Sequence, residues 1–158
     1  SNGKGIIMES VKTYWEQFQK KHKLSQSQPE AWMFGDGSEA MGNDLGALVV
    51  QGVKRATCSA KCLHDIDGEG LPAVGQYGII LNGKSEPLCI IQFTKVSITP
   101  MNEVTEAFAA LEGEGDLSYE YWYKEHERFF RKELSSYNLD FSFDMDLVCQ
   151  EFKVVDVK

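Results

Sequence analysis

A chain of 158 residues that is 42% hydrophobic and 25% charged has the composition of a folded, single-domain protein. Its net charge of −8, from 16 Lys and Arg against 24 Asp and Glu, argues against broad, salt-driven nucleic-acid binding but leaves room for a local basic pocket. No apolar run approaches the ~20 residues of a membrane span, so no membrane partner is expected. Ser1-Asn2 reads as a cloning remnant. Residues 1–8 read as a tag or disordered start without a secretory signal, and one domain is expected over 9–158. Cys58, Cys62, Cys89 and Cys149 read as reduced thiols of a cytoplasmic protein.

Along the chain, Val11, Tyr14, Trp15 and Phe18 fall at i, i+3, i+4 and i+7, so Glu9 to Lys23 predicts an amphipathic helix. Ala31 to Gly37 places Trp32 and Phe34 beside a glycine turn, where they either cap a core or form a stacking wall. Asp44 to Gln51 predicts a helix, with Gly52 suited to the left-handed position after it. Ala56 to Ala60 reads as a short strand and Ser59 to Gly75 as a loop. Gln76 to Leu81 and Leu88 to Ile98 read as strands joined at Asn82-Gly83, a hairpin signal. Thr99-Pro100 is expected to open a helix that carries Val104, Ala107, Phe108 and Leu111 and ends at Glu112. Ser118 to Ser135 predicts the longest helix. Trp122, His126, Phe129 and Phe130 share one face of it, and Glu120–Lys124 and Glu127–Arg131 pair on the solvent side. Asp146 to Val157 reads as the last strand. The mixture predicts an α+β fold.

Gly52-x-Lys54-x-x-Thr57 is the first candidate for chemistry. Residues three apart on a regular strand face opposite ways, so the chain must bend for both to serve one pocket. An ammonium and a hydroxyl can then converge on one oxygen or acyl carbon. Burial beside Arg55 would lower the Lys54 pKa and make it a base toward Thr57 or water. The plainer alternative is a solvated lysine and a strand threonine. Glu112-Gly-Glu-Gly-Asp116 offers a second candidate, either repelling carboxylates with one raised pKa or a capped, solvated turn. Leu117 and Tyr123 stand where a calcium loop needs Gly and Glu, which rejects an EF-hand. Cys58-x3-Cys62-x-His64 is half of a zinc pattern without a second pair. No metal and no cofactor is therefore expected. His126 reads as a satisfied, partly buried histidine or a catalytic one.

Taken in order, Trp32-Met-Phe-Gly-Asp36, Asp44-Leu45, Gly52-x-Lys54-x-x-Thr57, Leu71-Pro72-x-x-Gly75-x-Tyr77, Phe108-Ala109-x-x-Glu112-Gly-Glu-Gly-Asp116 and Trp122-x-x-x-His126-x-x-Phe129-Phe130 resemble a bacterial ASCH subfamily. The resemblance covers about Tyr14 to Val157. It implies a PUA-like fold, a small β-barrel surrounded by helices, with an added N-terminal helix here and a ligand cleft lined by the motif. Some small ASCH members remove an acyl group from N4-acylated cytidine with a lysine, a threonine and a downstream glutamate. Carried over, these are Lys54, Thr57 and Glu112, with Glu114 as the other possible carboxylate. Trp32, Phe34, Arg55, Glu114 and His126 are the expected ligand-binding residues. The readings that follow are an amidohydrolase, a non-catalytic RNA or nucleotide-binding module, and a ribonuclease. The expected partner is a nucleoside, a nucleotide or a short single-stranded RNA, and the sequence leaves the oligomeric state open.

Overall fold

The structure, a computed structural model, describes residues 2–68 and 70–158. Ser1 of the expected remnant and Glu69 of the expected loop lie outside these residues. Among the described residues the elements are α1 (Asn2–His22), β1 (Ala31–Met33), α2 (Glu39–Val50), β2 (Ala56–Ala60), α3 (Lys61–Asp67), β3 (Tyr77–Leu81), β4 (Pro87–Pro100), α4 (Glu106–Glu112), α5 (Tyr119–Ser135) and β5 (Asp146–Val157). A 3-10 turn at Met101–Glu103 follows β4. The strands hydrogen-bond in the order β1-β3-β4-β5-β2. Five helices and one five-stranded sheet make the α+β class that the sequence predicts. No helix among the described residues is long and apolar enough to cross a membrane.

The chain divides into two compact units. The first comprises the chain up to Gly52 with Gly75–Gln92 and Lys153–Lys158; the second comprises Val53–Val74 and Phe93–Phe152.

In the first unit α1 lays Val11, Tyr14, Trp15 and Phe18 on Ile79 of β3 and Ile90 of β4, as the helical spacing of those residues requires. The helix begins before the predicted Glu9. β1 runs parallel to β3, with Trp32 opposite Ile80. The Trp32 ring lies against Gly78, where an added Cβ would come within 2.4 Å of it. β3 and β4 are antiparallel, as predicted from Asn82-Gly83. The turn is longer than a two-residue hairpin, however. The Asn82 carboxamide oxygen accepts from the Lys84 and Glu86 amides at 2.9 and 3.0 Å and organises residues 82–86.

In the second unit β2 pairs antiparallel with β5, with Cys58 opposite Cys149 and Thr57 opposite Gln150. The core holds Ala60, Leu63, Met101, Val104, Ala109, Trp122, Phe130, Leu134, Leu147 and Cys149. Three expectations fail here for identifiable reasons. The predicted loop after β2 contains α3, closed by Gly68 in the left-handed conformation; Asp and Gly density masked a two-turn helix. Thr99-Pro100 ends β4 and opens only the 3-10 turn Met101–Glu103, and α4 starts later, where the Thr105 side chain accepts from the Phe108 amide. Proline suits a first helical turn but also an unpaired strand end, and here the strand won. Phe129 is 38% exposed while Phe130 is fully buried, so the apolar face of α5 excludes Phe129. The two solvent-side ion pairs of α5 form as predicted, at 3.0 Å for Glu120–Lys124 and 2.8 Å for Glu127–Arg131.

Phe130→Ala is expected to cost about 3–5 kcal/mol in urea unfolding. Phe129→Ala is expected to cost less than about 0.5 kcal/mol. Equal costs would contradict the packing assigned to α5.

Candidate functional site

The segment before β2 is held against the end of α4. The Arg55 amide donates to the Leu111 carbonyl at 2.7 Å, and the Arg55 carbonyl accepts from the Phe152 amide at 3.0 Å. Gly113 closes α4 with φ 73° and passes so near Val53 and Lys54 that an added Cβ would fall 2.5 Å from the Val53 carbonyl oxygen. Only glycine satisfies both the left-handed backbone and this approach. Gly52 follows α2 at φ 77°, as predicted. Two residues later in the chain, Lys54 turns inward.

Lys54 is 2% exposed. Its ammonium donates to the Ala56 carbonyl at 3.0 Å, to the Glu112 carbonyl at 3.3 Å, to Glu112 Oε1 at 3.4 Å and to Glu114 Oε2 at 2.8 Å. Glu112 is equally buried, whereas the Glu114 side chain keeps 22% of its surface. The expectation of a depressed Lys54 pKa is therefore overturned. Burial does push it down, but the Glu112 and Glu114 carboxylates outweigh burial and raise it above its ordinary value. Arg55, expected to add a like charge, has an exposed side chain. The surroundings of Lys54 therefore favour its ammonium form.

α5 supplies the other side. His126 Nε2 lies 2.8 Å from Glu112 Oε2, and its Nδ1 lies 2.8 Å from the Trp122 carbonyl. Both partners present acceptor oxygens, an arrangement that favours the doubly protonated ring. Burial pushes the His126 pKa down, and Glu112 pulls it above its ordinary value. Trp122 Nε1 also donates to Glu112 Oε2. Trp122 and His126 stack at 4.3 Å, the natural result of i, i+4 spacing on one helix face. Burial alone would raise the Glu112 pKa, but Lys54 and His126 hold it down at about 2. Lys54 and His126 thus face the buried Glu112, and Lys54 also faces the partly exposed Glu114.

Cys58 completes it, with Sγ 3.5 Å from Glu112 Oε2. Burial, then Glu112, push its thiol pKa well up. The sequence reading missed Cys58 and Trp122 as members. Strand alternation and the i, i+4 relation to His126 were the available signals. Alternation also sets Thr57 on the face of β2 opposite Cys58, half-buried beside Gln150. Thus Lys54, Glu112, Glu114 and His126 come together, while Thr57 and the exposed Arg55 side chain are directed elsewhere in the second unit. Trp32 and Phe34 belong to the first unit, where they meet edge to face at 5.7 Å.

A family model described as the ASCH domain matches residues 30–156. The crystal structure of a protein from Enterococcus faecalis V583 matches with a TM-score of 0.90 and 53% identity, over 95% of this chain and 90% of that one. The crystal structure of an ASCH domain from Lactobacillus crispatus JV V101 matches with a TM-score of 0.85 and 35% identity, over 94% of this chain and 95% of that one. No curated protein matches.

Lys54→Met should destabilise the protein by about 3–5 kcal/mol in chemical denaturation, because it strands the Glu112 charge in the interior. Adding Glu112→Leu should recover part of that loss, and additive costs would deny that the two residues interact. Gly113→Ala should cost roughly 1–2 kcal/mol for its backbone conformation alone, and more for the collision with Val53.

Proposed function

The chain belongs to the ASCH domain family, and from that premise we propose that it is a cytoplasmic amidohydrolase of an N4-acylated cytidine-like nucleoside. The observation that carries this reading is the buried contact of Lys54 with Glu112, on the two motif positions that resemble the catalytic lysine and glutamate of small ASCH amidohydrolases. Buried ionisable groups with strong charge partners cluster at functional sites.

The chemistry follows from the charge states. Water adds to the acyl carbon and gives a proton to Glu112. The carbonyl oxygen becomes an oxyanion beside the Lys54 ammonium, a cation already fixed in place. The C–N bond then breaks, the amine takes the proton back from Glu112, and the products are a carboxylic acid and the free nucleoside. His126 and Trp122 hold the carboxylate during the exchange. Glu112 starts as the ionised form that proton acceptance requires. Thr57 is the hydroxyl of the motif, but it lies on the face of β2 opposite Cys58 and takes no part in these steps.

A second reading, a non-catalytic nucleotide or RNA-binding module, is favoured by one observation: the Arg55 side chain is exposed and available to a phosphate.

Incubation with N4-acetylcytidine should release cytidine. Glu112→Gln should lower kcat by ~10²–10⁴-fold, the usual scale of a lost acid–base group, while remaining folded by circular dichroism. Equal turnover by wild type and Lys54→Ala would remove the role given to Lys54. Absence of turnover, together with nucleotide affinity that falls with salt and with Arg55→Ala, would establish the binding module instead.

A further inference from the structure

Cys58 on β2, Glu112 at the end of α4 and His126 on α5 bring one thiol sulfur, one carboxylate oxygen and one imidazole nitrogen within 4.8 Å of one another. We infer that this trio binds one divalent transition-metal ion of the zinc type, with a fourth coordination position left open.

Ligand chemistry is the first argument. Thiolate, imidazole and carboxylate are the donors that zinc takes, and three protein ligands with one open position is the arrangement of its catalytic sites. Spacing is the second. Tetrahedral bonds of about 2.0–2.3 Å set ligand atoms roughly 3.3–3.6 Å apart. Cys58 Sγ is already 3.5 Å from Glu112 Oε2, His126 Nε2, at 2.8 Å, has to retreat from that oxygen by about half an ångström, and all three donors lie within 4.8 Å of one another.

The third argument is the support around the ligands. Metal-binding histidines almost always donate their second nitrogen to an oxygen, and His126 Nδ1 meets the Trp122 carbonyl at 2.8 Å. Lys54 holds Glu112 Oε1 at 3.4 Å, which leaves Oε2 to face the other two donors. Cys58, Trp122 and His126 all converge on that single oxygen. Cys58 binds such an ion as the thiolate and His126 as the neutral imidazole, so binding releases protons and strengthens as pH rises.

This is not the zinc pattern visible in the sequence. Cys62 is exposed, and His64 Nε2 lies 2.8 Å from Ser59 Oγ. The partner of Cys58 is a histidine 68 positions later, supplied by α5. The site does not depend on the amide-hydrolysis reading, since metal binding is read without substrate.

The test is titration of chelator-treated, dialysed full-length protein with Co²⁺, followed by absorbance. One equivalent should produce a near-ultraviolet thiolate band and the visible bands of a tetrahedral ion, and Zn²⁺ should displace both. Cys58→Ser should abolish the near-ultraviolet band, while Cys62→Ser should keep it. His126→Asn, checked for folding by circular dichroism, should weaken Co²⁺ binding by at least ~10-fold. A wild-type protein without these bands at one equivalent would overturn the inference. So would bands that persist in Cys58→Ser or disappear in Cys62→Ser.

Discussion

The Lys54 ammonium lies inside the second unit among carboxylates, and much of the neighbouring sequence serves to hold it there. An unpaired ion at such depth costs several kcal/mol, so the position exists only because partners are built around it. Glu112 supplies both its carboxylate and its backbone carbonyl. Glu114 supplies the shortest contact, at 2.8 Å, from a position that still meets solvent. The alternation of glutamate and glycine in Glu112–Asp116 thereby gains a physical reason. The carboxylates neutralise Lys54, and Gly113 lets the chain carrying them approach the backbone of Lys54 itself.

The same constraint explains α5. Glu112 is buried, so its second oxygen also needs donors, and Trp122 and His126 provide them from one helix face. Trp122 joins the hydrophobic core with its body and the polar cluster with its ring nitrogen. Packing and polar satisfaction are thus fulfilled by one side chain. The two faces of β2 also divide the chemistry. Cys58 faces the charged cluster, whereas Thr57 and Ser59 face the other way, so the motif's lysine and threonine are not a simple base and nucleophile.

The fold was legible wherever a period or a cap dominated. The α1 stripe, the hairpin signal at Asn82-Gly83, the long helix from Ser118 and the last strand were all readable from local sequence. What escaped notice depended on tertiary partners. A two-turn helix after β2 has too few residues to display a period. Proline at position 100 satisfies the rules for a strand end and for a helix start equally well. Of the site, Lys54, Glu112, Glu114 and His126 could be named from the ordered motifs. The sign of the Lys54 pKa shift could not, because it depends on which charges surround the ammonium. Arg55 is adjacent in sequence, but the carboxylates 58 and 60 positions away set that sign.

The central claim is that Lys54 and His126 hold Glu112 as a buried carboxylate. A pH titration of the Glu112 side-chain carboxyl by ¹³C NMR tests it directly. The account predicts a midpoint at about 2, against 4.5 for an ordinary glutamate. A midpoint above 4.5 would show that burial prevails over the two cations, and would contradict the account.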